Sequence, residues 1–252
     1  MTTTDAVADP REPLVLAIET ATGDTEVALR SADGPLGEIA VRRGRRHVES
    51  LHPAIERICA DAGVELGSLT AVAVDIGPGL FTGLRVGVTA AKTLAFALDI
   101  PLAGVTSLDV LAAAATPFAG PEVAVLPVVD MRRGEVAWSL RGAVQFGPPD
   151  ELGRLLASLQ APAVLLVGEG ALVRGEEILA AAAGAGMARV EERVRLAGES
   201  LATPPAAVLA RLGLERARRG ETEDVLALVP LYLREADVAI NWESRPEPAA
   251  AG

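Results

Sequence analysis

The chain has 252 residues, enough for one large domain or two small ones. Half of its residues are hydrophobic but only 3% are aromatic, so small aliphatic side chains must build its cores. A formal net charge of −11 argues against sequence-wide nucleic-acid binding, and a single cysteine, Cys59, excludes a disulfide framework within the chain.

Cys59 shares an apolar helical stripe with Ile55, Ile58 and Ala62 and reads as a core residue. Residues 1–13 are polar and lack the apolar stretch of a secretion signal, and no run of about 18 apolar residues occurs. The expected location is cytoplasmic. The tails, residues 1–13 and 244–252, read as disordered.

Residues 14–20 (LVLAIET) form a continuous apolar run, as a central strand does. Residues 25–30 alternate and predict a hairpin partner. A third strand follows over 36–42, after Asp33-Gly34. A basic loop with Arg42, Arg43, Arg45 and Arg46 leads into a helix over 47–62, with Pro53 inside it. Residues 69–76 (LTAVAVDI) predict a strand covered on both faces. Gly77-Pro78-Gly79 ends it, and a second helix spans 82–98. A strand over 101–105 and a helix over 107–115 complete a β-β-β-α-β-α-β-α order, the ribonuclease-H-like half of an actin-like architecture.

Beyond a boundary at 119–121, strands are predicted over 123–129, 135–140 and 164–167. Residues 147–150 are expected as a loop. Helices are predicted over 151–160, 172–183 and 204–219, the last opened by Pro204 and Pro205. This half has fewer elements and reads as a shortened copy. The fold class is α/β, two-domain, with mixed central sheets.

The glycine turn is not a phosphate loop by spacing. GPGLFTG is neither G-x-x-x-x-G-K-[ST] nor G-x-G-x-x-G. The helix after it carries Lys92 as its only charge from Val86 to Leu98. On a helical projection Gly83, Gly87, Ala90 and Leu94 share one side, which suits close packing on the sheet. Leu84, Val88, Ala95 and Phe96 remain apolar elsewhere. A helix apolar nearly all round is buried all round, which implies a protein partner that also covers the 47–62 helix. The two histidines, His47 and His52, lie five apart and diverge on a helix, so they make no zinc pair. Glu19 and Asp75 end strands and form a candidate Mg²⁺ pair, with capping as the alternative. Asp130 reads as a turn cap. Arg211, Arg216, Arg218 and Arg219 suit a helix C-terminus.

Four stretches resemble one family: LAIETAT (16–22), DIGPGLFTGLRVG (75–87), VVDMRRGEVAW (128–138) and PLYLREADVAINW (230–242). They are similar to the TsaB (YeaZ) family, a bacterial subunit of the machinery that makes tRNA N6-threonylcarbamoyladenosine. GPGxFTGxR is shared with its catalytic paralogue TsaD. The resemblance covers nearly the whole chain. Leu80 stands where Ser is commoner, and the N-terminal tail is longer than usual.

The resemblance implies an actin-like domain over 14–118, a reduced second one over 119–225, and a segment over 226–243 that packs back. It implies an accessory role without catalytic residues, intrinsic cofactor or metal, since TsaD carries an H-x-x-x-H motif absent here. The implied partners are TsaD as heterodimer and TsaE, with tRNA reached indirectly, no membrane, and a homodimer when the chain is alone. The expected partner-binding residues are His47, Val48, Leu51, Ile55, Ile58, Leu80, Phe81, Thr82, Leu84, Arg85, Val88, Thr89, Lys92 and Phe96. Gly77, Pro78, Gly79, Gly83 and Gly87 are expected to shape the turn and its packing. Glu19, Thr20 and Thr22 are a candidate weak site for ATP or ADP. The alternatives are an autonomous actin-like ATPase or kinase, and an M22-type glycoprotease homologue, for which no hydrolytic residues are found.

Overall fold

The structure is a computed structural model in which residues 12–42, 44 and 46–233 are described. Arg43, Arg45, residues 1–11 and residues 234–252 lie outside the described residues, and with them most of the expected tails.

Two five-stranded mixed sheets lie along the chain. The first comprises β1 (Leu14–Glu19), β2 (Thr25–Ser31), β3 (Pro35–Val41), β4 (Ala71–Asp75) and β5 (Leu102–Val105), in the order β3-β2-β1-β4-β5. β1 pairs antiparallel with β2 and parallel with β4, with Ile18 opposite both Val27 and Val74. The central strands β1 and β4 are buried along nearly their whole length. That burial explains their unbroken apolar sequences, because helices cover both faces.

The second sheet comprises β6 (Val123–Asp130), β7 (Val136–Leu140), β8 (Ala143–Gly147), β9 (Ala163–Val167) and β10 (Val194–Leu196), in the order β8-β7-β6-β9-β10. This is the first order repeated. The sequence reading missed β8 and β10. β8 is a largely exposed edge strand, so its residues carry little apolar signal, and β10 has three residues. Strands β7, β8 and β10 are shorter than their counterparts in the first half, while the strand order is complete.

Seven helices cover the sheets among the described residues: α1 (His47–Ala62), α2 (Phe81–Leu98), α3 (Ser107–Ala115), α4 (Pro149–Ser158), α5 (Glu169–Gly184), the one-turn α6 (Val190–Arg193) and α7 (Ala206–Arg218). α1 and α2 close one face of the first sheet over Leu16, Ile18, Val72 and Val74. α4 and α5 do the same for the second sheet over Leu126, Val128, Val164 and Leu166.

Two of the other three helices cross over. α3 belongs to the first half by sequence, yet its Leu111 and Ala115 pack on Val125, Leu165 and Val167 of the second sheet. α7 follows the second sheet, yet its Ala206, Leu209, Ala210 and Leu214 pack on Val15, Ala17, Ala28 and Ala73 of the first. A boundary at 118/119 therefore separates the strands but not the cores.

After α7, residues 223–232 strap back over the first sheet and α2. The Glu223 amide donates to Leu102 O at 2.8 Å, the Leu231 amide donates to Ile76 O at 2.7 Å, and Leu228 is buried in the first core.

α7 reaches its sheet through Gly213, where a Cβ would lie 2.3 Å from the Ala73 Cβ. Gly213→Val is expected to lose about 1–3 kcal/mol by overpacking. Denaturant melts should show Gly213→Ala partly restored by Ala73→Gly in the same chain, because both changes act on one contact.

Candidate functional site

β4 ends at Asp75, and the chain turns through Gly77 (φ +100°) and a cis Gly77–Pro78 peptide into α2. Two of the turn's donors point inward. The Gly77 amide donates to Asp75 Oδ1 at 2.6 Å and the Leu80 amide to Ala21 O at 2.6 Å. Neither is left for a phosphate.

The glycines instead bring α2 against the loop after β1. A Cβ at Gly79 would lie 2.3 Å from Ala21 O, at Gly83 2.0 Å from Thr20 O, and at Gly87 2.2 Å from Thr20 Oγ1. Thr20 Oγ1 donates to Gly83 O at 2.8 Å and closes the contact. Buried His47 adds a second brace: its Nδ1 lies 3.0 Å from Thr25 Oγ1 and its ring rests beside Gly83. Burial pushes the imidazole below its ordinary pKa, so it sits there neutral.

Glu19 and Asp75 lie under this turn with 1% and 0% exposure. Glu19 Oε1 accepts from the Ala21 amide at 2.7 Å, while Asp75 Oδ1 accepts from Gly77 and, at 2.7 Å, from Ser107 Oγ. Burial, then the charge of Asp75, raises Glu19 well above the ordinary carboxyl range. A proton on Glu19 gives Asp75 the donor that its second oxygen otherwise lacks. The pair is sealed from water at the ends of β1 and β4. It does not fit the Mg²⁺ reading, because a cation needs both carboxylates ionised and open to water. Among the described residues no group of three metal-ligating side chains occurs.

Thr22 borders the cleft between the sheets, with Gly79, Ser107, Asp130, Arg132 and Glu169. Thr20 is fully buried beneath it. Arg132 stands in the cleft, 2.9 Å from Asp130 and 3.1 Å from Glu169. About 20 Å³ remains, room for one water. The cleft in this conformation does not fit a nucleotide.

The surface of α1 and α2 differs from its sequence-based outline. His47, Leu51, Ile55, Ile58, Leu84 and Val88 are buried within the chain's own core. Only Leu51 and Ile55 reach outward, as the floor of a groove. Phe81, Arg85 and Lys92 are engaged by the C-terminal strap. Arg85 stacks 3.9 Å from the Phe81 ring centroid and donates to Tyr232 Oη at 3.1 Å, and Lys92 Nζ donates to Leu226 O and Leu228 O at 2.9 and 2.8 Å. Part of the apolar surface that argued for a partner is therefore covered by the chain itself. Val48, Thr82, Thr89 and Phe96 are exposed and Leu80 is partly so, with Val48 at 76% and Phe96 at 71%.

The groove runs between α1 and α2 and holds about 540 Å³. Val48, Leu51, His52, Ile55, Glu56 and Cys59 line one wall, and Val86, Ala90, Thr93 and Leu94 the other, with Leu66 at the end. Sequence reasoning missed the second wall. Ala90 and Leu94 were assigned to the sheet-facing side, whereas Val86, Ala90, Thr93 and Leu94 form an i, i+4, i+7, i+8 stripe between sheet and solvent. The equivalent helices of the second half leave no such gap: a Cβ on Gly153 of α4 would lie 2.5 Å from the Ala181 Cβ of α5.

The basic clusters are largely neutralised. Arg42 pairs with Asp24, Arg46 with Glu49, Arg211 with Glu215 and Arg219 with Glu221.

Glu19 loses its proton at lower pH when unfolded than when folded. Its contribution to stability is therefore complete below the ordinary carboxyl pKa and is lost as pH rises through the raised folded value. Glu19→Gln keeps a donor toward Asp75 at every pH. Melts between about pH 5 and pH 9 should show the wild-type chain losing stability relative to Glu19→Gln, by at most about 1.4 kcal/mol per pH unit. Parallel pH profiles would contradict the shared proton.

The sequence model of the family described as "TsaD: tRNA N6-adenosine threonylcarbamoyltransferase" matches residues 37–148. The tRNA threonylcarbamoyladenosine biosynthesis protein TsaB of Bacillus subtilis is 32% identical over 240 residues, covering 90% of this chain and 97% of that protein. Its namesake in Haemophilus influenzae is 29% identical, covering 92% and 97%. The solved structure of YeaZ from Pseudomonas aeruginosa superposes with a TM-score of 0.69 at 26% identity, covering 88% of this chain and all of that one. With a relative this similar along nearly the full length of both proteins, the chain belongs to the TsaB family.

Proposed function

We propose that this chain is the non-catalytic docking subunit of a tRNA threonylcarbamoyladenosine synthesis complex. It pairs through the α1–α2 groove with TsaD, the subunit that transfers the threonylcarbamoyl group to N6 of adenosine 37. The observation that carries this reading is the open groove over the first sheet, where the matching helices of the second half abut through Gly153 and Ala181. An apolar groove of this size exposed to water is costly unless a partner fills it.

The match of residues 37–148 to the transferase family narrows the partner. A protein built on the same β-β-β-α-β-α pattern carries its own α1–α2 pair. Two such pairs related by an approximate two-fold axis pack ridges into grooves. TsaE joins the assembled pair, and tRNA is reached through the partner. The cleft supports an accessory role. Its carboxyl pair is sealed, its arginine is neutralised, and it lacks room for a nucleotide unless the two sheets move apart.

Reconstitution tests the reading: threonylcarbamoyl transfer to tRNA by TsaD, TsaE and the threonylcarbamoyl-AMP-forming enzyme, with and without this chain. Ala90→Arg and Val48→Glu place charge in the groove wall at positions that are not fully buried, Val48 being exposed and Ala90 partly buried at the edge of the core. Each is expected to weaken pairing by ~100-fold, about 2.7 kcal/mol, with an unchanged circular dichroism spectrum. Gly87→Arg and Val88→Glu are poorer probes, because Gly87 abuts Thr20 and Val88 is buried. Native affinity in both groove variants would refute the assignment.

A further inference from the structure

His47 opens α1, and its ring lies against Gly83, the third residue of α2. One edge of the ring is engaged, with Nδ1 3.0 Å from Thr25 Oγ1. The other edge is bare. Nε2 is buried without a hydrogen-bond partner and faces Gly83, where a Cβ would come within 2.9 Å of it. A neutral imidazole with its proton on Nδ1 fits this seat, because the bare nitrogen then carries only a lone pair. A protonated ring does not fit. It puts an N–H on Nε2 against the backbone of α2, and the Gly83 carbonyl already accepts from Thr20 Oγ1. It also sets a positive charge at the N-terminal ends of two helices, where negative charge is favoured.

The charges around the ring are largely committed elsewhere. Asp24, on the loop before β2, pairs with Arg42 at 3.5 Å, and on α1 Arg46 pairs with Glu49 at 3.6 Å and His52 with Glu56 at 3.4 Å. Glu26 of β2 accepts from the Ala206 amide of α7, and Arg85 of α2 is held by Phe81 and Tyr232. Burial outweighs the Thr22 carbonyl and Asp24, which favour the proton, and holds the ring below its ordinary pKa. A hollow of about 230 Å³ opens beside the ring, bordered also by Arg46, Val48, Glu49, Thr82 and Val86. It gives a ring that turns outward access to water and to the Glu49 carboxylate. Val48 and Val86 line the groove as well, so a partner seated in the groove closes this exit.

We propose that His47 is a proton-sensitive latch on the α1–α2 surface. Neutral, it holds the first turns of both helices together. Protonated, it leaves its seat through the hollow, and the two helix starts lose their common brace. Pairing through this surface, with TsaD or with a second copy of the chain, selects the neutral ring and weakens in acid. The inference rests on the groove being the pairing surface. Its sign follows from linkage: the folded chain binds this proton less readily than the unfolded one. The contribution to stability is complete above the ordinary histidine value and is lost as pH falls through it toward the folded value. A partner that closes the hollow disfavours the proton further. Affinity then falls by up to about tenfold per pH unit once pH drops below the value of the free chain.

The first test is an NMR titration of the full-length chain alone. The chain has two histidines, so comparison with His47→Asn identifies each imidazole signal. The His47 ring is expected to titrate below about pH 6.5, with the methyl signals of Val48 and Val86 moving at the same midpoint. A ring that titrates at or above the ordinary value, or groove methyls that do not follow it, overturns the latch. The second test measures affinity for TsaD between about pH 5.5 and 7.5. Asn keeps a donor near the Nδ1 position and does not titrate, so the ratio of wild type to His47→Asn cancels the titration of TsaD itself. That ratio is expected to fall by up to about tenfold per pH unit below the ring's midpoint. Parallel profiles would overturn the coupling to pairing. Where circular dichroism shows His47→Asn unfolded, His47→Gln takes its place, and the wild-type titration decides the latch without either variant. Native TsaD affinity in Ala90→Arg would instead refute the groove as the pairing surface, and the titration of the chain alone still decides the latch.

Discussion

The first half of the molecule is organised by the contact between α2 and Thr20. Three glycines remove the side chains that would otherwise hold the helix away, and the Thr20 hydroxyl then bonds to the Gly83 carbonyl. With α2 drawn in at its first turn, His47 can wedge between Thr25 and Gly83 and set the start of α1. The buried Glu19–Asp75 pair lies beneath, at the ends of β1 and β4 from which both segments depart. The width of the groove outside depends on these contacts. A glycine turn that resembles a ligand cradle is here a spacer for helix placement.

The two halves use one strand order for different ends. Over the second sheet, α4 and α5 abut and complete a core. Over the first, α1 and α2 stand apart while their inner faces remain buried. The C-terminal strap occupies the outer flank of α2 and leaves the groove flank open. It also binds Lys92, the lone charge from Val86 to Leu98, through two backbone carbonyls.

Much of this fold was legible in the sequence. The limits of α1 and α3 coincide with the structure, and the central strands follow from apolar runs that only two-sided burial produces. The edge strand β8 was not legible, because an exposed edge needs no hydrophobic pattern. The exchange of α3 and α7 was also hidden: a helix's apolar stripe says that it packs, not on which sheet. At the site, the turn and the two helices were found, but their faces were partly misassigned. Helical projection ranks angles around one axis. Ala90 and Leu94 share the side of Gly87, yet they line the groove that faces α1 while packing on the edge of the core. Nor could the projection foresee that residues 223–232 would cover Phe81, Arg85 and Lys92.

The crossed helices α3 and α7 bear on how the molecule is made. During synthesis the first sheet emerges with one face bare, since the helix that covers Val15, Ala17 and Ala73 is encoded more than 100 residues later. That face is lined by alanine and valine and cannot be shielded by its own segment. The face is complete only once α7 has been made. A chain that ends before α7 leaves Val15, Ala17, Ala28 and Ala73 of the first sheet without the helix that covers them.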